Sequence, residues 1–191
     1  MGVHQEAPRF HPESREEWRA WLAANHGTPS GVWLVQWKSH TGKARVQYED
    51  LIEEALCFGW IDSTAKTLDA DRSLLWFAPR KRGSGWAKTN KARVARLEAA
   101  GLLAEAGRRV IEAAKADGSW SLLDDVEDLK VPSDLEAAFA AFPGSFEQWE
   151  QLSVSARKLA LGWIAQAKRP ETRANRIAEV ARKVQAGERP R

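Results

Sequence analysis

Six residues of this chain have types and spacing that suit chemistry at one site: Asp62, Arg80, Arg82, Ser84, Trp86 and Asn90. They fall in a locally distinct stretch. From Arg72 to Leu97 there are eight cations and no carboxylate, although the whole chain carries a net charge of only +3. Arg82-Gly83-Ser84-Gly85-Trp86 reads as a shaped loop, in which glycines let the backbone approach a ligand closely. Ser84 offers a hydroxyl. A helix beginning near Trp86 would turn unsatisfied N–H groups and a partial positive charge to the same place. Arg80 can hold two oxygens at once, which a lysine cannot. The chemistry this favours is capture of a phosphate-bearing or acidic ligand. The competing reading is a solvated basic loop; the phosphate-loop pattern Gly-x-x-x-x-Gly-Lys-Ser/Thr is absent. Asp62 suits either a base or a structural partner for Arg80 across a hairpin, and the structural pair is preferred, because networks of that kind also perturb titrating groups.

Other residue types exclude other chemistries. Four histidines and one cysteine give no metal-ligand spacing, so no metal and no cofactor is expected. Cys57 sits in an apolar run without a neighbouring His or cation, which reads as a buried structural thiol rather than a nucleophile. No Ser-His-Asp or Cys-His arrangement assembles. Ten tryptophans are many for 191 residues. Trp60, Trp86 and Trp163 lie in apolar-periodic segments and are expected in the core, where a large ring buries most area. Arg169, Arg173 and Arg176 share a helix face at spacings of four and three. They suit either a phosphate or acidic-protein surface or a clamp on Asp or Glu of the connector.

The elements that must position these residues follow from periodicity. Residues 1–12 read as an extended arm. Ser14 is an N-cap, with Glu16 and Glu17 in the first turn of a helix that ends near Gly27. Val32–Trp37 reads as a strand with both faces covered. Gln47–Phe58 is helical and stops at Gly59. Trp60–Leu68 and Ser73–Phe77 form a hairpin about Asp69-Ala70-Asp71. Helices are expected over 86–100, 102–116, 133–142, 145–152, 153–168 and 170–185. The fold class is α+β, a small antiparallel sheet packed with helices and followed by a helical C-terminal subdomain. The boundaries expected are an α+β domain over 1–120, an acidic connector over 121–132 and the subdomain over 133–191. The connector acids Asp124, Asp125, Glu127 and Asp128 are placed to balance the basic block. No apolar run reaches the ~20 residues a membrane helix needs. The first residues lack an apolar core, and the cytoplasm is the expected location.

Three blocks, in order, make the chain recognisable. The first is Ala55-Leu56-Cys57-Phe58-Gly59-Trp60-Ile61-Asp62. The second is Phe77, Pro79, Arg80, Ser84, Trp86 and Asn90. The third is Trp163-Ile164, Ala167-Lys168-Arg169-Pro170-Glu171-Thr172-Arg173 and Arg176-Ile177. Together they resemble the bacterial YdeI/OmpD-associated family, the bacteriocin-protection proteins, over roughly residues 9–187. Ala87 departs from the pattern, which has a small hydroxyl residue there. The resemblance implies a role in protection against bacteriocins or antimicrobial peptides and in envelope stress, and implies no particular reaction. Three functions therefore compete: a protection protein binding an anionic ligand or partner at the basic loop, a nucleic-acid binder using the same block with Trp stacking, and an enzyme with Asp62 as base and Arg80 as anion clamp. The nucleic-acid reading lacks any known motif. The enzyme reading lacks a second acid or nucleophile.

Overall fold

A computed structural model describes residues 7–190. The chain forms two compact units. The first runs up to Ser84 and takes in Thr89–Asp117; the second is Gly85–Lys88 together with the chain from Gly118 onward. The class is α+β, with helices making up the C-terminal part.

In the first unit, β1 (Arg9–Phe10) is the part of the described N-terminal arm with regular structure; residues 1–6 of the arm lie outside the described residues. Helix α1 (Arg15–Asn25) starts as its sequence dictates: the Ser14 hydroxyl accepts from Glu17 N at 3.2 Å, meeting one otherwise open donor. Strand β2 (Val32–Trp37) precedes a 3₁₀ turn at Ser39–Thr41 and helix α2 (Tyr48–Cys57). The hairpin is β3 (Trp60–Thr67) and β4 (Arg72–Pro79), whose turn is tied by Asp69 Oδ1 accepting from Asp71 N and Arg72 N. The sheet order is β1-β2-β4-β3. Its two long pairings are antiparallel, and β1 adds a parallel edge, so the sheet is mixed.

Alternation puts the two sides of β2 to different uses. Trp33 and Val35 join Leu74 and Trp76 in a cluster on one face of the sheet. On the other face Leu34 and Phe77 are fully buried, as are Trp18 and Leu22 of α1. The rings of Trp18 and Phe77 lie 5.3 Å apart, and Trp21 meets Trp60 edge-on at 5.7 Å. The buried indoles keep their polar ends satisfied: Trp18 Nε1 donates to Leu51 O and Trp60 Nε1 to His26 O. Helices α3 (Lys88–Ala99) and α4 (Glu105–Ala116) follow. Helix α3 begins two residues later than its periodicity suggests, because Trp86 belongs to the loop and to the second unit.

The second unit contains α5 (Asp124–Glu127), α6 (Ser133–Ala140), α7 (Ser145–Gln151), α8 (Val154–Ala165) and α9 (Pro170–Gln185). Its core is built from Leu135, Phe139, Trp149, Leu161, Ile164, Ile177, Val180 and Val184. Helices this short are not stable alone and depend on that shared apolar surface. Trp60 and Trp86 are buried as expected, whereas Trp163 is only partly so, packing on the edge of this core.

Candidate functional site

Two of the residues singled out above, Asp62 and Arg80, stand at different levels of the hairpin. Asp62 was expected to hold Arg80, and the strand register prevents it. Asp62 lies opposite Phe77, while β4 continues to Pro79 and Arg80 lies beyond its end, its N–H donating to Gly59 O at 2.9 Å. Asp62 is held instead by Tyr48, whose hydroxyl donates to its carboxylate at 2.7 Å. Tyr48 is 55% exposed as a residue. Desolvation of its hydroxyl, then the bond to Asp62, raises the phenol pKa to about 12.

Asn90 stands near that pair through Arg93. Arg93 donates to Asn90 Oδ1 at 2.8 Å and grips Glu49 with two nitrogens, at 2.9 and 2.7 Å. Arg96 adds bonds to Glu49 and Glu53. Within the first unit, α2 supplies the carboxylates that balance Arg93 and Arg96 of the basic block. Arg72 is likewise closed on Asp69 at 2.6 Å. Within the second unit, Asp125 pairs with Lys130, Glu127 with Lys158, and Asp128 lies 3.9 Å from Lys88 of the block.

The loop residues take structural roles. Ser84 Oγ donates to Lys81 O at 2.7 Å and closes a turn. Arg82 is 84% exposed on its side chain and lies 3.5 Å from Asp117. Trp86 is buried with its ring 4.9 Å from Trp120. In the tail, Arg173 clamps Asp134 of α6 with bonds of 2.6 and 2.9 Å, and Arg176 donates to Trp163 O while stacking over its ring.

A cleft of about 250 Å³ in the first unit has a lining that includes Arg80, Arg109, His26, Phe58, Trp60 and Val110. Gly59 shapes its floor: with φ at +77° it turns the chain from α2 into β3, and a Cβ there would meet Val110 Cγ2 at 2.6 Å. Burial lowers the Arg80 pKa to about 10. The guanidinium is thus still charged at neutral pH while held in a partly dry wall, where an anion is attracted more strongly than in water. His26 Nδ1 faces the carbonyls of Leu22 and Ala23 at 3.1 and 3.2 Å, so this nitrogen carries the proton and Nε2 is the one left to other partners. Two arginines against aromatic walls can hold a small oxyanion; among the described residues no group of His, Cys, Asp or Glu could hold a metal ion.

Two family models match the chain. Residues 10–110, which carry the sheet and the cleft, match the one described as Domain of unknown function (DUF8412). Residues 128–187 match the one described as Bacteriocin-protection, YdeI or OmpD-Associated. The chain belongs to the DUF8412 family and carries a YdeI/OmpD-associated domain. The YdeI/OmpD-associated match is shorter than the resemblance over 9–187, because the first two sequence blocks lie within the DUF8412 region. No curated protein and no solved structure matches the chain.

Within the DUF8412 region, sequence reasoning found Arg80 and missed its neighbours. Arg109 and His26 come from α4 and the end of α1, far from Arg80 along the chain, and no local spacing links them. Tyr48 had a signal: it is the chain's single tyrosine.

Proposed function

We propose that the chain is a bacteriocin-protection-like stress protein of the cytoplasm that works by binding a small phosphate-bearing or acidic ligand in the Arg80 cleft. One observation carries this reading: Arg80 and Arg109 line the same small cleft, and burial already depresses the Arg80 pKa. Arginine suits the task because its planar fork matches phosphate and carboxylate oxygens in pairs. Phe58 and Trp60 supply an apolar wall for any ring or chain attached to the anion.

The two other functions lose support. Nucleic-acid binding needs a run of available cations, and Arg72, Arg93 and Arg96 are closed on carboxylates. The enzyme reading needed Asp62 and Arg80 on one substrate, and Asp62 instead bonds Tyr48. A titration with phosphate, nucleotides and short oligonucleotides at two salt concentrations tests the proposal. Binding of the small anions with a shallow salt dependence supports it. Tight binding of oligonucleotides alone, with a steep salt slope, would replace it with the nucleic-acid reading.

A further inference from the structure

A second cavity in the first unit, of about 260 Å³, lies between the sheet and the start of α2. Its lining includes Gln36, Arg45, Val46, Tyr48, Leu51 and Leu75, and is mainly apolar. Gln36 is the unusual member. It is the one amide in the run Val32-Trp33-Leu34-Val35-Gln36-Trp37, and it is only 9% exposed. Its Nε2 is sealed from solvent and finds no acceptor among the described residues. Buried polar groups in native proteins are almost always hydrogen-bonded, so such a donor calls for an explanation.

Two further features face the same space. Gln47, the N-cap of the ten-residue α2, makes no side-chain cap bond, so the first N–H groups of the helix are uncapped where Gln47 and Tyr48 line the cavity. Arg45, at the rim, makes no ion pair or hydrogen bond among the described residues. The nearby carboxylates are already engaged: Glu49 by Arg93 and Arg96, Asp50 by Arg15, Asp62 by Tyr48. The cavity therefore offers a buried neutral donor, a helix N-terminus and an available guanidinium around apolar walls.

We propose that this cavity binds a small monocarboxylate with an alkyl or aryl body. The carboxylate accepts from Gln36 Nε2 and is drawn by Arg45 and the α2 N-terminus. The body packs on Val46, Leu51 and Leu75. The size restricts the ligand to a small molecule, since the space is below the range of ~300–1,000 Å³ that drug-sized ligands occupy. This site is separate from the Arg80 cleft and does not depend on that reading.

The test is calorimetric titration with benzoate and hexanoate, using benzyl alcohol and hexanol as neutral counterparts. The acids should bind at least about 10-fold more tightly than the alcohols, about 1.4 kcal/mol. Gln36→Met, nearly equal in volume, should weaken the acids about 10-fold while the melting temperature stays level or rises, because an unmet donor is removed. Arg45→Ala, at an exposed position, should narrow the gap between acids and alcohols without moving the melt. In an Arg80→Ala background, which removes any benzoate held in the Arg80 cleft, the remaining benzoate binding should persist and still fall about 10-fold with Gln36→Met. Equal affinity for acids and alcohols, no binding of the acids in the millimolar range, or undiminished binding in both Gln36→Met and Arg45→Ala would overturn the proposal.

Discussion

Replacing Gly107 by alanine should destabilise the first unit, against the usual trend for a helix interior. Gly107 is buried within α4, and alanine there would normally gain about 0.5–1 kcal/mol from helix propensity. The surroundings reverse the sign. A Cβ at Gly107 would lie 2.3 Å from Cys57 O, 2.8 Å from Cys57 C and 2.9 Å from Leu56 O. All three are backbone atoms at the end of α2, so no side chain can swing away. The same junction carries a bond from Ala104 N to Cys57 O at 3.1 Å, which would stretch if α4 withdrew. Overpacking against a fixed wall costs about 1–3 kcal/mol or more, and loss of the bond adds about 1 kcal/mol. After the propensity gain, a net loss of about 2 kcal/mol remains. For a chain of this length that is about 4–8 °C in melting temperature. Urea denaturation of wild type and Gly107→Ala measures it, with the exposed Gly27, where a Cβ meets nothing within 4 Å, as control. Equal or greater stability of Gly107→Ala would refute the close approach of α4 to α2. Since α4 also carries Arg109, the variant should weaken anion binding in the cleft as well.

Glu54 is 3% exposed and accepts from Arg15 Nε and Arg19 Nη1, both at 2.6 Å. Breaking a buried pair costs about 3–5 kcal/mol; Arg15 and Arg19 are about a third exposed and can rehydrate, so Glu54→Gln should lose about 2–3 kcal/mol by denaturant unfolding, and a change under about 0.5 kcal/mol, the range of ordinary surface substitutions, would contradict the network. The single tyrosine permits a direct optical titration: the phenolate of Tyr48 should form with a midpoint near 12, falling toward the ordinary value of about 10 in Asp62→Asn. Because the folded pKa lies above the unfolded one, through desolvation first and then the bond to Asp62, the neutral phenol contributes stability that is present below about pH 10 and is lost as pH rises through about 12; a midpoint near 10 in the folded wild type would remove the bond from the account. Trp86→Ala, at a buried ring packed on Trp120, should cost about 3–5 kcal/mol, and a melt within a degree or two of wild type would reject that packing.

The fold was readable where local chemistry decides it. Ser14 caps α1, Gly59 ends α2 in a left-handed turn, and Asp69 closes the hairpin, each through bonds within a few residues. The site was readable only in part. Asp62 and Arg80 are close in sequence, and a hairpin read from composition places them together. The true pairing is set by register, with a shift between Asp62 and Ala65 and a strand that runs on to Pro79. Sign alone did not assign the partners: Asp128 lies against Lys88 of the block, Asp125 and Glu127 pair with Lys130 and Lys158, and α2 supplies the carboxylates for Arg93 and Arg96. Arg109 could not be linked to Arg80 at all, because only the packing of α4 brings them to one cleft. Gln36 was visible as a lone amide in an apolar strand, and the cavity beside it gives that amide a use.

Calorimetric titration of inorganic phosphate into wild type and Arg80→Lys tests the central claim most directly. Lysine keeps the charge but loses the two-pronged grip. The account predicts millimolar or tighter binding to wild type and a loss of about 10-fold in the variant, about 1.4 kcal/mol. Equal affinity in the two proteins, or no heat of binding in wild type, would contradict it.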